Sequence, residues 1–199
     1  MRGNRRGRKS PGSGDNSTDD TGLPELSLGR TMYDRHVTWR KPKVVDDPTP
    51  GAARTVALLL LGRRELSSVQ LRDRLRRRGF PDSVIEPAFA DLRASGALDD
   101  TRAARARARH DLVVRRHGRA RVLRQVQAMG VDGDTARAAV SAAFEGVDEM
   151  QMIEEALERR LRNTPFPTDP AAVRRLFGWL LRQGFDGEKV SRILRRKSS

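Results

Sequence analysis

From Pro50 onward, apolar residues recur at spacings of three and four, and no stretch shows the strict apolar–polar alternation of a half-buried strand. Helices are therefore expected throughout this region. Within it one pattern occurs three times in register: Leu71-x3-Leu75-x3-Gly79-Phe80, Val122-x3-Val126-x3-Gly130-Val131 and Leu176-x3-Leu180-x3-Gly184-Phe185. The glycines lie 51 and then 54 residues apart. An aliphatic pair at i and i+4 shares one helix face. The glycine follows as the left-handed residue that ends the helix, and the next apolar residue packs back on the second aliphatic one. Gly79, Gly130 and Gly184 are thus expected to be equivalent helix stops.

A further helix follows each stop, entered through Pro81-Asp82, Asp132-Gly133-Asp134 and Asp186-Gly187-Glu188. Another precedes each stop helix, over Ala53–Arg63, about Thr101–Arg115 and about Glu149–Leu161. The expected fold is all-α: three tandem three-helix repeats, 51–98, 99–147 and 148–199, stacked into an elongated, curved array. Residues 1–50, rich in Arg, Gly, Ser, Asp and Pro, cannot bury enough surface to offset their ordering entropy and are expected to form a disordered tail. Met32, Tyr33, Val37 and Trp39 are its only cluster able to dock. The longest aliphatic run, Val56 to Leu61, is far too short to cross a bilayer and is assigned to the core.

The charge balance changes what this array is expected to meet. Forty basic and 26 acidic residues leave a net charge of +14, spread over all three repeats and the tail. Polyanions and acidic protein surfaces are the natural partners. The chain has no cysteine, which excludes disulfides and thiolate metal sites, and its basic N-terminus lacks the apolar segment of a secretory signal.

Several segments together resemble the RecX family of recombination regulators. They are Leu58-Leu59-Leu60, Ser67-Ser68-Val69-Gln70-Leu71 before Arg78-Gly79-Phe80, Gly96-Ala97-Leu98-Asp99-Asp100, Arg102-Ala103-Ala104, and Gly118-Arg119-Ala120-Arg121-Val122. The resemblance covers about residues 52–197 and leaves the tail unexplained. It implies a cytoplasmic, monomeric regulator of homologous recombination, DNA repair and the SOS response. Such a regulator binds RecA recombinase and its DNA filament and inhibits ATPase activity and strand exchange. One departure stands out: the family usually carries an aromatic at the position of Ala103. An alanine there removes about 2–3 kcal/mol of apolar burial and predicts looser packing of the second repeat.

Chemistry is sparse. Asp99 and Asp100 are expected to be a cap for the helix beginning near Thr101, with Asp148 and Glu149 in the same role before the third repeat. His36, His110 and His117 lack metal-ligand spacing, and no nucleophile has a base beside it. No enzyme, metal or cofactor is expected.

The candidates for partner binding, to RecA or to DNA phosphate, are arginines: Arg72, Arg76 and Arg77, then Arg102, Arg105, Arg109, Arg116, Arg119, Arg121 and Arg124. On a continuous helix Arg102, Arg105, Arg109 and Arg116 fall within about 60° of one another. Asp111 is the only acid between Arg102 and Gly130, so the stripe is expected to be uncompensated. Replacing Arg102, Arg105 and Arg109 with Ala is accordingly expected to spare stability. The competing reading is a helix-turn-helix-like protein, with Ser67–Arg78 and Pro81–Ser95 as its helix pair and weak, non-specific phosphate contacts to DNA.

Overall fold

The structure, a computed structural model, describes residues 48–198. The tail, with Trp39 and His36, lies outside them. The described residues form nine helices and no strand. The first three are α1 (Pro50–Leu61), α2 (Ser68–Arg76) and α3 (Asp82–Ala94). They are followed by α4 (Asp100–Val113), α5 (Arg119–Gln127) and α6 (Gly133–Ala143), then by α7 (Glu149–Leu161), α8 (Pro170–Gln183) and α9 (Gly187–Ser198).

The three stop helices end alike. Gly79, Gly130 and Gly184 have φ of 89°, 79° and 94°, a region open to glycine and strained for other residues. Phe80 N–H donates to the Leu75 carbonyl at 3.2 Å, and Phe185 N–H to that of Leu180 at 3.3 Å. These bonds satisfy carbonyls that the helix itself leaves open. The helix starts are equally legible: Ser67 and Gln70 form a reciprocal capping box, and Asp132, Asp148 and Asp169 cap α6, α7 and α8.

The core is divided unevenly. Leu71, Leu75, Ile85, Phe89 and Leu92 are buried beneath Ala53 and Ala57 in a core confined to α1–α3 and their connections. A second core is continuous from Ala103 on α4 to Leu194 on α9, so the second and third repeats are joined by apolar packing. The assignment of Val56 to Leu61 to the core holds for Ala57, which is buried, and for Val56, Leu60 and Leu61, which pack against it, but needs correction at two residues. Leu59 is 65% exposed and Leu58 is exposed as well, because they lie off the face of α1 that carries Ala53 and Ala57. Ala103 is buried on α4, where Ala104 and Ala108 are buried too, and α4 packs on α6 through Ala136 and Ala139.

A recurring joint connects successive repeats. The Ser67 hydroxyl, at the start of α2, donates to the carbonyl of Met129, the residue before Gly130. Gly118 N–H, at the start of α5, donates at 2.9 Å to the carbonyl of Gln183, the residue before Gly184, and Ala120 N–H reaches the Gly184 carbonyl at 3.1 Å. In both cases the N-terminus of one stop helix meets the C-terminus of the next, which sets their dipoles head to tail. At the second joint backbone N–H groups of α5 satisfy the last carbonyls of α8, whereas at the first the Ser67 hydroxyl makes the bond.

Candidate interaction surface

The expected binding arginines divide into two groups. Five are held by the fold itself. Arg72 pairs with Glu86 and lies 5.4 Å over the Phe89 ring, so it covers an edge of the first core. Arg76 donates twice to Asp82, at 2.8 and 2.6 Å. That bidentate bond raises the Arg76 pKa and lowers that of Asp82. Arg102 reaches Glu65 at 2.8 Å and the carbonyls of Gly96 and Ala97, and its bond to Glu65 raises its pKa. Arg119 pairs with Glu149 at 3.1 Å and covers Phe144, while Arg121 bonds Gln183 at 3.1 Å and the Arg182 carbonyl.

The other five, Arg77, Arg105, Arg109, Arg116 and Arg124, are exposed and have no carboxylate partner among the described residues. Arg105 and Arg109 face α6 across a shallow cleft of about 290 Å³ floored by Ala139, Ala142 and Ala143. Small residues on both helices leave the guanidinium stems as its walls.

Two expectations about the stripe are corrected. Helix α4 ends at Val113, and Arg116 follows in a left-handed conformation (φ 54°), so Arg116 does not continue the line through Arg105 and Arg109. Arg102 joins the first two repeats through Glu65, Gly96 and Ala97, so the triple replacement that includes it is expected to cost some stability.

The paired acids also divide their work. Asp99 accepts from Arg102 N–H at 2.9 Å and caps its own helix. Asp100 instead accepts from Ser68 N–H at 2.6 Å, at the first turn of α2 in the preceding repeat. One carboxylate starts α4 and the other fastens it to α2.

A matched family model, described as the first three-helix domain of RecX, covers residues 53–92. The regulatory protein RecX of Syntrophotalea carbinolica is 34% identical over 130 residues, 65% of this chain and 85% of its own length. That of Thermobifida fusca is 34% identical over 145 residues, covering 73% and 78%. This chain belongs to the RecX family. The crystal structure of RecX from Lactobacillus salivarius has the same fold, with a TM-score of 0.57 at 16% identity over 74% of this chain and 96% of that one. A second RecX crystal structure matches with a TM-score of 0.60 at 17% identity, covering 74% of this chain and 71% of that one.

The matched RecX segment runs from Ala53 to Leu92, that is, from the first buried alanine of α1 to the last buried leucine of α3. The sequence signal of this RecX domain therefore lies on all of the first core except Leu98. Among the described residues no group of three or more His, Asp or Glu side chains is arranged to hold a metal, and no helix is long and apolar enough to cross a membrane.

Sequence reasoning missed a charged centre at the end of α4. The Asp111 carboxylate is fully buried (0% exposed), receives Arg107 at 2.7 Å, and has Arg115 and the His110 ring at 3.5 Å. Arg107 also donates to Gln125 on α5 at 2.6 Å. The i, i+4 spacing from Arg107 to Asp111 to Arg115 was the available signal. Next to it His117 is buried, its Nδ1 has no partner, and its pKa is lowered, first by burial and then by Arg121. Neutral in the fold, His117 takes up a proton on unfolding, so its stabilisation is complete above the unfolded pKa of about 6.5 and is lost as pH falls below it. The melting temperature is expected to fall between pH 7.5 and 5.5 (about one unit either side of that value), and less in His117→Gln. An equal fall in both proteins would show that His117 contributes nothing.

Proposed function

We propose that this chain regulates homologous recombination and the SOS response by binding RecA recombinase and its DNA filament, inhibiting ATPase activity and strand exchange, without chemistry of its own. The observation that carries the reading is the pair Arg105 and Arg109, exposed side by side without carboxylate partners on a helix whose two acids, Asp100 and Asp111, are committed elsewhere. Membership of a family of regulatory proteins supports the same role. Acidic recombinase surface or filament phosphate would be gripped by these and other free guanidinium groups. Several weak contacts along tandem repeats would add through avidity.

The helix-turn-helix reading is less favoured, because Arg72 and Arg76, the arginines on one flank of α2, already pair with Glu86 and Asp82.

The test is RecA ATPase activity on single-stranded DNA, measured with the protein substoichiometric to recombinase. The unmodified protein should inhibit. Arg105→Ala/Arg109→Ala should weaken inhibition by about tenfold, since two exposed charge contacts contribute on the order of 1–2 kcal/mol together, and should leave the melting temperature unchanged. Inhibition that needs a large excess, and that acts equally on any DNA-stimulated ATPase, would defeat the proposal.

A further inference from the structure

A second cationic feature lies apart from the Arg105–Arg109 cleft, and of its arginines only Arg116 was among the sites expected from sequence. Two adjoining clefts share Arg160 and Trp179 as common walls. One, of about 300 Å³, carries Arg115, Arg116, Arg159 and Arg162 as well. The other, of about 460 Å³, carries Arg174, Arg175 and Arg182 over a floor that includes Leu161, Pro165 and Leu176. The indole of Trp179 is half-buried, and the Arg160 guanidinium lies 5.5 Å from its ring centre. Three of these arginines have acids at their edge: Arg115 with Asp111, Arg159 with Glu155 at 3.6 Å, and Arg175 with Asp169 at 3.7 Å. Arg116, Arg160, Arg162, Arg174 and Arg182 have no carboxylate partner among the described residues.

The backbone supplies an independent observation. Among the described residues only Arg116, Arg162 and Asn163 adopt positive φ without being glycine, at 54°, 44° and 68°. Both arginines line the cleft beside Trp179. Glycine would be less strained at each position, so the chain retains a cation there against its conformational preference. Strain kept at a concave, charged surface points to a bound partner.

We infer that the paired clefts around Trp179 form a binding site for a single nucleic-acid strand, with one base stacked on the indole and the arginines holding its flanking phosphates. A planar aromatic layered with guanidinium groups is the arrangement on which unpaired bases stack. An acidic peptide would use the same charges but would not need the flat indole. The clefts present few hydrogen-bonding groups besides guanidinium, so the site reads no sequence. It is independent of recombinase binding, and the two can fail separately.

The full chain with Trp39→Phe keeps Trp179 as its single indole. A thymidine oligonucleotide of about a dozen residues should quench its fluorescence. An abasic strand of equal length should bind about tenfold more weakly, the loss of one stacked base. Trp179→Leu should bind the thymidine strand no better than the abasic one, whereas Trp179→Phe should recover most of the affinity.

Arg116→Gly/Arg162→Gly should keep or raise the melting temperature, because glycine relieves both strained positions. It should also reduce the salt slope of log K by about 1.4, for two phosphate contacts. Three results would each overturn the site: no quenching, equal affinity for the abasic strand, or equal quenching and affinity with poly-glutamate. Undiminished strand binding by the double glycine variant would do the same. RecA inhibition measured on Trp179→Leu separates this site from the proposed function, which stands if inhibition persists.

Discussion

Gly184→Ala is expected to destabilise the protein by about 2–5 kcal/mol, more than the same change at Gly79. Gly184 has φ 94°, where an L side chain costs about 1–2 kcal/mol. Its added methyl group would also overlap the backbone nitrogen of Arg121 and come within 2.8 Å of the Gly118 carbonyl oxygen. These are backbone atoms at the start of α5, where Arg121 N–H donates to the Gly118 carbonyl and the neighbouring Gly118 and Ala120 N–H groups bond Gln183 and Gly184. Overpacking of this kind adds about 1–3 kcal/mol. Gly79 has nearly the same φ but is solvent-exposed and follows no joint, so Gly79→Ala should cost only about 1–2 kcal/mol. Gly79→Val should cost more, because a β-branched residue is worse still in that conformation. Urea denaturation measures all three. Equal losses at Gly79 and Gly184 would mean that the α5–α8 joint does not form in solution.

Asp111→Ala is expected to cost about 3 kcal/mol and to lower the melting temperature by about 6–12 °C. Removing one partner of a buried pair leaves the other uncompensated, and here the Asp111 carboxylate is fully buried between Arg107 and Arg115. Both arginines are partly solvated, which holds the loss to the lower end of the usual range. The change should also loosen the connection from α4 to α5, since Arg107 bridges Asp111 to Gln125. Hydrogen exchange along α4 and α5 should quicken relative to α1–α3, whose core is separate. A stability within about 0.5 kcal/mol of the parent would show that Asp111 is dispensable.

The elements were legible because local rules agree with one another at each of them. Leu71, Leu75, Gly79 and Phe80 combine one helix face, a left-handed stop and its closing bond; all three recur at Gly184, and the face and the left-handed stop recur at Gly130. Asp99 was legible as a cap for the same reason: a cap is satisfied within three residues of itself. Asp100 was not, because its partner is Ser68, on another repeat. The candidate surface was legible only as a pool of arginines. Sequence spacing put Arg102 and Arg116 in line with Arg105 and Arg109, whereas the fold turns the first into a pin and places the second past the end of the helix. Trp179 drew no attention from sequence, since an isolated tryptophan on a stop helix is ordinary core until its arginine neighbours from α7, α8 and the α4–α5 connection are seen around it.

By itself the sequence determined that the chain is helical, where its stop helices end, and which family it resembles. Each of these depends on residues a few positions apart, and their geometry follows from the covalent chain. Only the tertiary structure decided which arginines are spent on the fold and which remain for a partner. It also showed that the stop glycines serve as joints between repeats, and that Asp111 holds a buried charged centre. Several of those outcomes depend on which groups meet across long stretches of chain, as Arg102 meets Glu65 across 37 residues and Ser67 meets Met129 across 62. Whether an arginine finds a carboxylate or is left facing solvent is settled by packing, not by its neighbours in sequence.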